Sequence, residues 1–215
     1  MSYPIICLAG QGGVGKDTVA DIITQNIEKS CSLSLADDIK CNLHMIGIPQ
    51  KYLLGKSENR AITLNPNMLK GFFNSSLGEI IISYHFINEA RSLKDFCART
   101  LLQLLGSKVR AIDENYWINR VFEKAQDFLK RHTNLVIVPD LRFRNEILFF
   151  KSIGAKVYLV ESPQGTLVKG KKAKDQSETE LATVPRSWYD GVIKNDKTVP
   201  KKELLKQLKE LKIID

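Results

Sequence analysis

The sequence predicts an α/β fold on a mostly parallel sheet. Three observations carry that prediction. The apolar run Pro4-Ile5-Ile6-Cys7-Leu8-Ala9 passes straight into a glycine-rich turn and then an amphipathic stretch, which is strand, loop, helix. Leu135-Val136-Ile137-Val138 is continuously apolar and rich in β-branched residues, the composition of a strand covered on both faces of a parallel sheet. Helical periodicities separate the strand-like runs along most of the chain.

Taken in order, the first strand spans about 4–9 and the first helix about 16–29. Ser32-Leu33-Ser34-Leu35-Ala36 alternates in polarity like a second strand and ends on the acidic pair Asp37 and Asp38. Residues 37–110 show no strand period and carry loop signals at Gly47-Ile48-Pro49 and Asn65-Pro66-Asn67. Within them a helix is expected from about Glu89 to Leu105. Another is expected from about Asn115 to Arg131, with Val121, Ala125, Phe128 and Leu129 on one face. After the strand at 135–138, Asn145 to Ser152 reads as helix and 155–160 as strand. A polar stretch at 162–187, a short strand near 191–194 and a terminal amphipathic helix complete the chain. The expected organisation is one domain. Its core is 1–36, 111–161 and 188–215, its helical insertion about 37–110, and its lid about 162–187.

Composition narrows the class. A chain of 215 residues with 43% hydrophobic content can bury one substantial core. No apolar run is long enough to span a bilayer. The short apolar run near residue 5 has no charged flank and reads as a buried strand rather than a signal peptide. Cys7, Cys31, Cys41 and Cys97 are scattered without a C-x-x-C pair, which points to reduced thiols and a cytoplasmic setting. His44, His85 and His132 lack metal-ligand spacing. The net charge is +8. Lys169, Lys171, Lys172 and Lys174 cluster in the polar stretch. Lys201, Lys202, Lys206, Lys209 and Lys212 alternate with leucines as the solvated face of a helix.

The chemistry begins at Gly10-Gln11-Gly12-Gly13-Val14-Gly15-Lys16-Asp17-Thr18. The spacing G-x-x-x-x-G-K between a strand and a helix is that of a phosphate-binding P-loop. Glycines let backbone N–H groups converge on phosphate oxygens, the helix N-terminus adds its positive pole, and Lys16 supplies a point charge. Asp17 stands where a hydroxyl ligand for Mg²⁺ is usual, with Thr18 one place later. Either Asp17 holds Mg²⁺ through water or it caps the helix. Asp140 closes the buried strand at 135–138, the position of a second metal-site element in a P-loop protein, or else of a turn cap. Arg142 and Arg144 follow, two guanidinium groups suited to transferring phosphoryl charge.

At these residues the chain resembles the viral and phage deoxynucleoside monophosphate kinases. Val138-Pro139-Asp140-Leu141-Arg142-Phe143-Arg144-Asn145-Glu146 is similar to their D-V-R-F-x-N-E signature. Leu35-Ala36-Asp37-Asp38-Ile39-Lys40 resembles their F-A-D-P-L-K segment. Arg99 to Gly106 followed by Trp117 resembles R-x-x-L-Q-x-x-G…W. Ser177-Glu178-Thr179-Glu180-Leu181 resembles S-E-x-E-L, and Asp190 to Asn195 resembles D-x-V-I-x-N. The similarity covers nearly the whole chain. Arg144 and Asp38 stand where proline is frequent, and 47–92 carries none of the pattern.

The resemblance implies a nucleoside-monophosphate-kinase-like fold, a five-stranded parallel sheet with flanking helices, a helical acceptor-binding insertion and a lid. It implies transfer of the γ-phosphoryl group of ATP, with Mg²⁺, onto a deoxynucleoside 5′-monophosphate. Lys16, Asp140, Arg142 and Arg144 are then the catalytic candidates. Gly10, Gly12, Gly13, Val14, Gly15, Lys16, Asp17 and Thr18 hold the triphosphate, Asn195 stands by the adenine, and Asp17 and Asp140 serve the metal. Asp38, Lys40, Arg99, Gln103, Arg110 and Trp117 are candidates for the acceptor, the alternative for Arg99 and Gln103 being a solvated helix face. Lys172, Lys174, Glu178 and Arg186 belong to the lid, the alternative being a surface loop. Trp117 and Tyr116 also suit a core edge. The expected partner is a small nucleotide, without stable nucleic acid or membrane. A homodimer is allowed, and a viral origin would place the chain in host cytoplasm. Competing readings are a kinase of another phosphorylated small molecule, of the dephospho-coenzyme A or phosphomevalonate type, and an ATP-dependent nucleic-acid-binding protein. The latter lacks a recognisable module or a dense basic stripe.

Overall fold

The computed structural model describes residues 3–54, 58–65, 67–69, 97–131, 133–164, 179–196 and 198–215. The chain divides into two compact units, Met1–Leu35 with Ile118–Asp215, and Ala36–Trp117.

The first unit is built on five parallel strands in the order β2-β3-β1-β4-β5. They are β1 (Ile5–Ala9), β2 (Ser30–Ser32), β3 (Leu135–Leu141), β4 (Lys156–Glu161) and β5 (Gly191–Lys194). All five residues of β1 are buried, as expected of a central strand with both faces covered. Because strand side chains alternate, Ile6 and Leu8 face one layer and Ile5, Cys7 and Ala9 the other. Ile6 and Leu8 pack with Val19, Ile22 and Ile23 of α1 (Lys16–Asn26) and with Leu204 and Leu208 of the terminal helix Lys201–Glu210. On the other side of the ladder, Tyr3, Phe122, Phe149 and Phe150 form an edge-to-face chain with centroids 5.1, 5.4 and 5.5 Å apart.

The second unit holds α2 (Asp37–Met45), α3 (Gln50–Leu53), a 3-10 turn at Asn59–Ala61 and α4 (Ala98–Ile112). Its buried apolar residues include Leu43, Ile48, Leu53, Leu64, Leu101 and Leu105. Gly106 lets α2 approach α4 closely, since a Cβ there would stand 3.3 Å from Ile39 Cδ1. Then α5 (Tyr116–Lys130), α6 (Arg144–Ser152) and α7 (Lys201–Glu210) complete the helices named.

Several elements depart from the sequence expectation. The second strand is Ser30–Ser32, not 32–36, because Ser34 and Leu35 are drawn out of the ladder onto Asp140. The first helix stops at Asn26. Ile27 is extended and Lys29 takes φ 55, a left-handed turn that feeds β2. The helix expected through 89–105 does not run continuously. Cys97 is extended and bridges antiparallel to Thr63, α4 begins at Ala98, and residues 89–96 lie outside the described residues.

Candidate active site

The P-loop leaves the carboxyl end of β1. Gly13 and Gly15 take φ values of 82 and 88, in the left-handed region that glycine enters without a Cβ penalty. Gly10 is required for another reason, since a Cβ there would stand 2.6 Å from the Val160 carbonyl oxygen of β4. Gly15 is the N-terminal cap residue of α1, and its carbonyl accepts the first helical bond from Val19 N–H at 3.1 Å. The remaining amides of that first turn have no intrahelical acceptor, which suits the turn to an anion. Lys16 is only 6% exposed. Its Nζ donates to the carbonyls of Gly10 at 2.6 Å and Gln11 at 2.9 Å, so the ammonium folds back over the loop. Gly12 is buried, whereas Gly13, Asp17 and Thr18 are exposed on the loop and the first turn.

Asp140 reaches the same sheet edge through the β1–β3 ladder. Cys7 pairs with Val138 and Ala9 with Leu141, so β3 carries one extra residue between these pairs. Pro139, which has no N–H to give the ladder, and Asp140 occupy this bulge, a device that re-aims side chains at strand ends. Asp140 Oδ2 accepts the Ser34 hydroxyl at 2.5 Å and Oδ1 the Leu35 N–H at 2.9 Å. Asp140 thereby ties the end of β3 to the segment leaving β2. Beside it, Glu146 is 1% exposed, and its Oε2 accepts from Arg142 N–H at 2.6 Å and Phe143 N–H at 3.0 Å. This caps α6 and fixes the Asp140–Arg144 turn. Glu146 was not among the sequence candidates, although Glu three places into a helix is the capping signal that would have found it. Burial in the centre of the sheet pushes the Cys7 thiol well up, and the nearby Asp140 and Glu146 carboxylates add to the effect.

Arg144 does not stand free for a phosphoryl group as expected. Its N–H donates to Glu180 at 2.8 Å, its Nη2 to the Thr183 carbonyl at 3.0 Å, and the guanidinium lies 5.8 Å from the Trp188 ring centroid. Arg144 is a tether between α6 and the segment 180–188. Arg186, from the same segment, pairs with Glu161 at 2.6 Å. Lys172, Lys174 and Glu178 lie outside the described residues.

A cleft of about 580 Å³ opens beside the loop. Gly10, Gln11 and Val14 form one wall, the end of β4 another, and Leu181, Val184 and Tyr189 an apolar side. Asn195 is not at the surface of this cleft. It is 7% exposed, and its Nδ2 donates to the carbonyls of Val14 at 2.9 Å and Gly15 at 3.4 Å. The expectation that it stands by the base gives way to a place under the phosphate loop.

The acceptor candidates belong to the second unit. Lys40 pairs with Asp37 at 2.9 Å, and Asp38 stands in the first turn of α2. Arg99, Gln103 and Arg110 lie along α4, with Gln103 exposed. Trp117 is corrected to a structural residue. It is 3% exposed, its N–H donates to the Gly106 carbonyl at 3.2 Å, and Tyr116 stacks edge-on against it at 4.8 Å. With ring and donor both engaged inside the unit, the indole has no face for a ligand. Among the described residues no helix is long and apolar enough to cross a membrane.

A glycine loop and buried lysine at the carboxyl edge of a parallel sheet, feeding a helix N-terminus, define a P-loop nucleotide-binding α/β protein. The profile of the deoxynucleotide monophosphate kinase family matches residues 49–207, and the chain belongs to that family. It is thus a nucleotide monophosphate kinase, an ATP-dependent phosphotransferase. The crystal structure of TT1252 from Thermus thermophilus aligns with 98% of this chain and 97% of its own, at 19% identity and a TM-score of 0.47. No curated protein sequence matches the chain.

Proposed function

We propose that the protein transfers the γ-phosphoryl group of ATP to the 5′-phosphate of a deoxynucleoside monophosphate, giving the deoxynucleoside diphosphate and ADP. An acceptor phosphate oxygen attacks the γ-phosphorus, the new P–O bond forms, and the bond to the bridging β-phosphate oxygen breaks in line. The observation that carries this reading is the adjacency of cradle and carboxylate. The Ala9↔Leu141 pair sets the start of the P-loop beside Asp140, within a chain of this kinase family.

Each residue has a role in that step. The loop amides and Lys16 bind the β- and γ-phosphates and stabilise charge on the transferring group. Lys16 is already held at the loop by Gly10 and Gln11, so it moves little to meet a phosphate. Arg142 adds a fixed positive charge beside Asp140, while Arg144 holds the segment 180–188 against α6. The cleft beside Gly10 receives the rest of the donor nucleotide, its apolar side facing the base. Arg99 suits the acceptor phosphate as a bidentate partner, and Asp38, Lys40, Gln103 and Arg110 supply polar contacts for sugar, phosphate and base.

The residues fit Mg²⁺ of the kind that is carried by substrate phosphates and keeps its waters. Among the described residues no cluster of three His, Cys, Asp or Glu side chains forms a protein cage. Asp140, held by two protein donors, and Asp17, exposed on the first turn of α1, would bind such an ion through its water shell. The ion supplies masking of phosphate charge.

The test is ADP formation from ATP with each deoxynucleoside monophosphate, each ribonucleotide counterpart, dephospho-coenzyme A and phosphomevalonate as acceptors. Acceptor-dependent ADP and a deoxynucleoside diphosphate product are expected. Turnover only with one of the non-nucleotide acceptors would contradict the proposal.

A further inference from the structure

We infer that Asn195 is a positioning residue of the phosphate cradle, which acts by fixing the peptide planes at Val14, Gly15 and Lys16. The inference rests on the reading that this loop binds a polyphosphate.

The geometry is that of a brace. Asn195 follows β5, and its own N–H donates to the Glu161 carbonyl at 2.8 Å. The preceding Lys194 is clamped to α7, its N–H donating to Gln207 Oε1 at 2.9 Å and its carbonyl accepting from Gln207 Nε2 at 3.0 Å. The side chain therefore stands on a rigid support. From there Nδ2 reaches the Val14 carbonyl at 2.9 Å and, more distantly, the Gly15 carbonyl at 3.4 Å.

In a trans peptide the C=O and the following N–H point in opposite directions. Holding the Val14 carbonyl toward Asn195 therefore turns the Gly15 N–H away from it. Holding the Gly15 carbonyl does the same for the Lys16 N–H. These are amides of the loop and first turn that a phosphate would use. Gly15 is the residue that allows the brace, because a Cβ there would lie 2.0 Å from Asn195 Nδ2. The buried amide contacts backbone that is common to every polyphosphate, so its loss must be felt regardless of the base.

The experiment measures KM and kcat for ATP and GTP, and inhibition by inorganic tripolyphosphate, in the parent, Asn195→Ala and Asn195→Asp. Loss of one buried amide bond weakens ATP, GTP and tripolyphosphate by one common factor of about tenfold in Asn195→Ala. The ratio of ATP to GTP use stays at the parent value. Asn195→Asp, nearly isosteric, loses more, since a carboxylate then faces two carbonyl oxygens. Thermal melts confirm that both variants are folded, and the aspartate variant decides the matter should the alanine variant not fold. Unchanged tripolyphosphate inhibition in a folded variant, or a loss confined to ATP, overturns the inference. A parent protein that turns over ATP yet is not inhibited by tripolyphosphate overturns it as well. A parent that neither turns over ATP nor binds tripolyphosphate defeats the kinase reading itself.

Discussion

Ser34 donates its hydroxyl proton to Asp140 Oδ2 at 2.5 Å, joining two segments 106 residues apart in sequence. The Leu35 N–H holds the other oxygen. Both donors come from the segment that follows β2, so the position of this carboxylate depends on where that strand stops. Partners of this kind orient a carboxylate toward a metal-bound water, and their loss typically costs about 10–100-fold in metal affinity or activity. Ser34→Ala should accordingly lower kcat/KM by about tenfold and raise the Mg²⁺ concentration needed for half-maximal rate. A variant with the parent's Mg²⁺ dependence would show that the hydroxyl does not orient Asp140.

Arg144 is engaged with the segment 180–188, and the phosphoryl role proposed above falls to Arg142. Arg142→Ala should reduce transfer by about a hundredfold, the scale of removing one electrostatic stabiliser of a transition state. Arg144→Ala removes the bond to Thr183 and the contact with Trp188, and should instead lower stability by about 1 kcal/mol. Limited proteolysis should then cut within 179–188 faster than in the parent. Equal rate losses in both variants, with no change in proteolysis, would contradict this division.

Gly15→Ala tests the loop conformation. A left-handed alanine costs about 1–2 kcal/mol, and its Cβ would meet Asn195 Nδ2 at 2.0 Å. The expected outcome is a folded protein whose ATP affinity falls more than about tenfold, measured by calorimetric titration. Parent-like affinity would mean that the loop can bind phosphate without this geometry.

Tyr189 gives an alkaline signature. Burial pushes its phenol up to about 12, and its hydroxyl has no hydrogen-bond partner among the described residues. A raised folded pKa stabilises the protein below the ordinary phenol value of about 10 and loses that contribution as pH rises through about 12. Burial also raises the Tyr158 phenol, with the Asp190 carboxylate adding to the effect, so tyrosinate absorbance in the folded protein should show late ionisation that Tyr189→Phe reduces by one phenol. Because the orphaned hydroxyl is deleted, Tyr189→Phe should also raise stability by about 1 kcal/mol at neutral pH. A large loss of stability would reveal a partner for the hydroxyl.

The sheet and the cradle were legible because their causes are local. A continuous apolar run announces a covered strand, and glycines before Lys16 announce a phosphate turn. Other positions were set by distant partners. β2 stops early because Asp140 captures Ser34 and Leu35, and no local pattern in 30–36 records that. Asn195 was placed at a strand end correctly, but its target lies about 180 residues away on the P-loop. By sequence Trp117 suits either a ligand or a core edge, and its bond to the Gly106 carbonyl sets it in the core. Arg144 carried the right charge for phosphate, but Glu180 and Thr183 draw it to the segment 180–188.

The most direct measurement of the central claim compares the parent with Lys16→Ala in an assay that follows label from the γ-phosphate of ATP into a deoxynucleoside diphosphate, with Mg²⁺ present. Label transfer by the parent is expected, with a loss of at least about a hundredfold in a variant whose thermal melt stays cooperative. Label transfer at the parent rate by folded Lys16→Ala would contradict it.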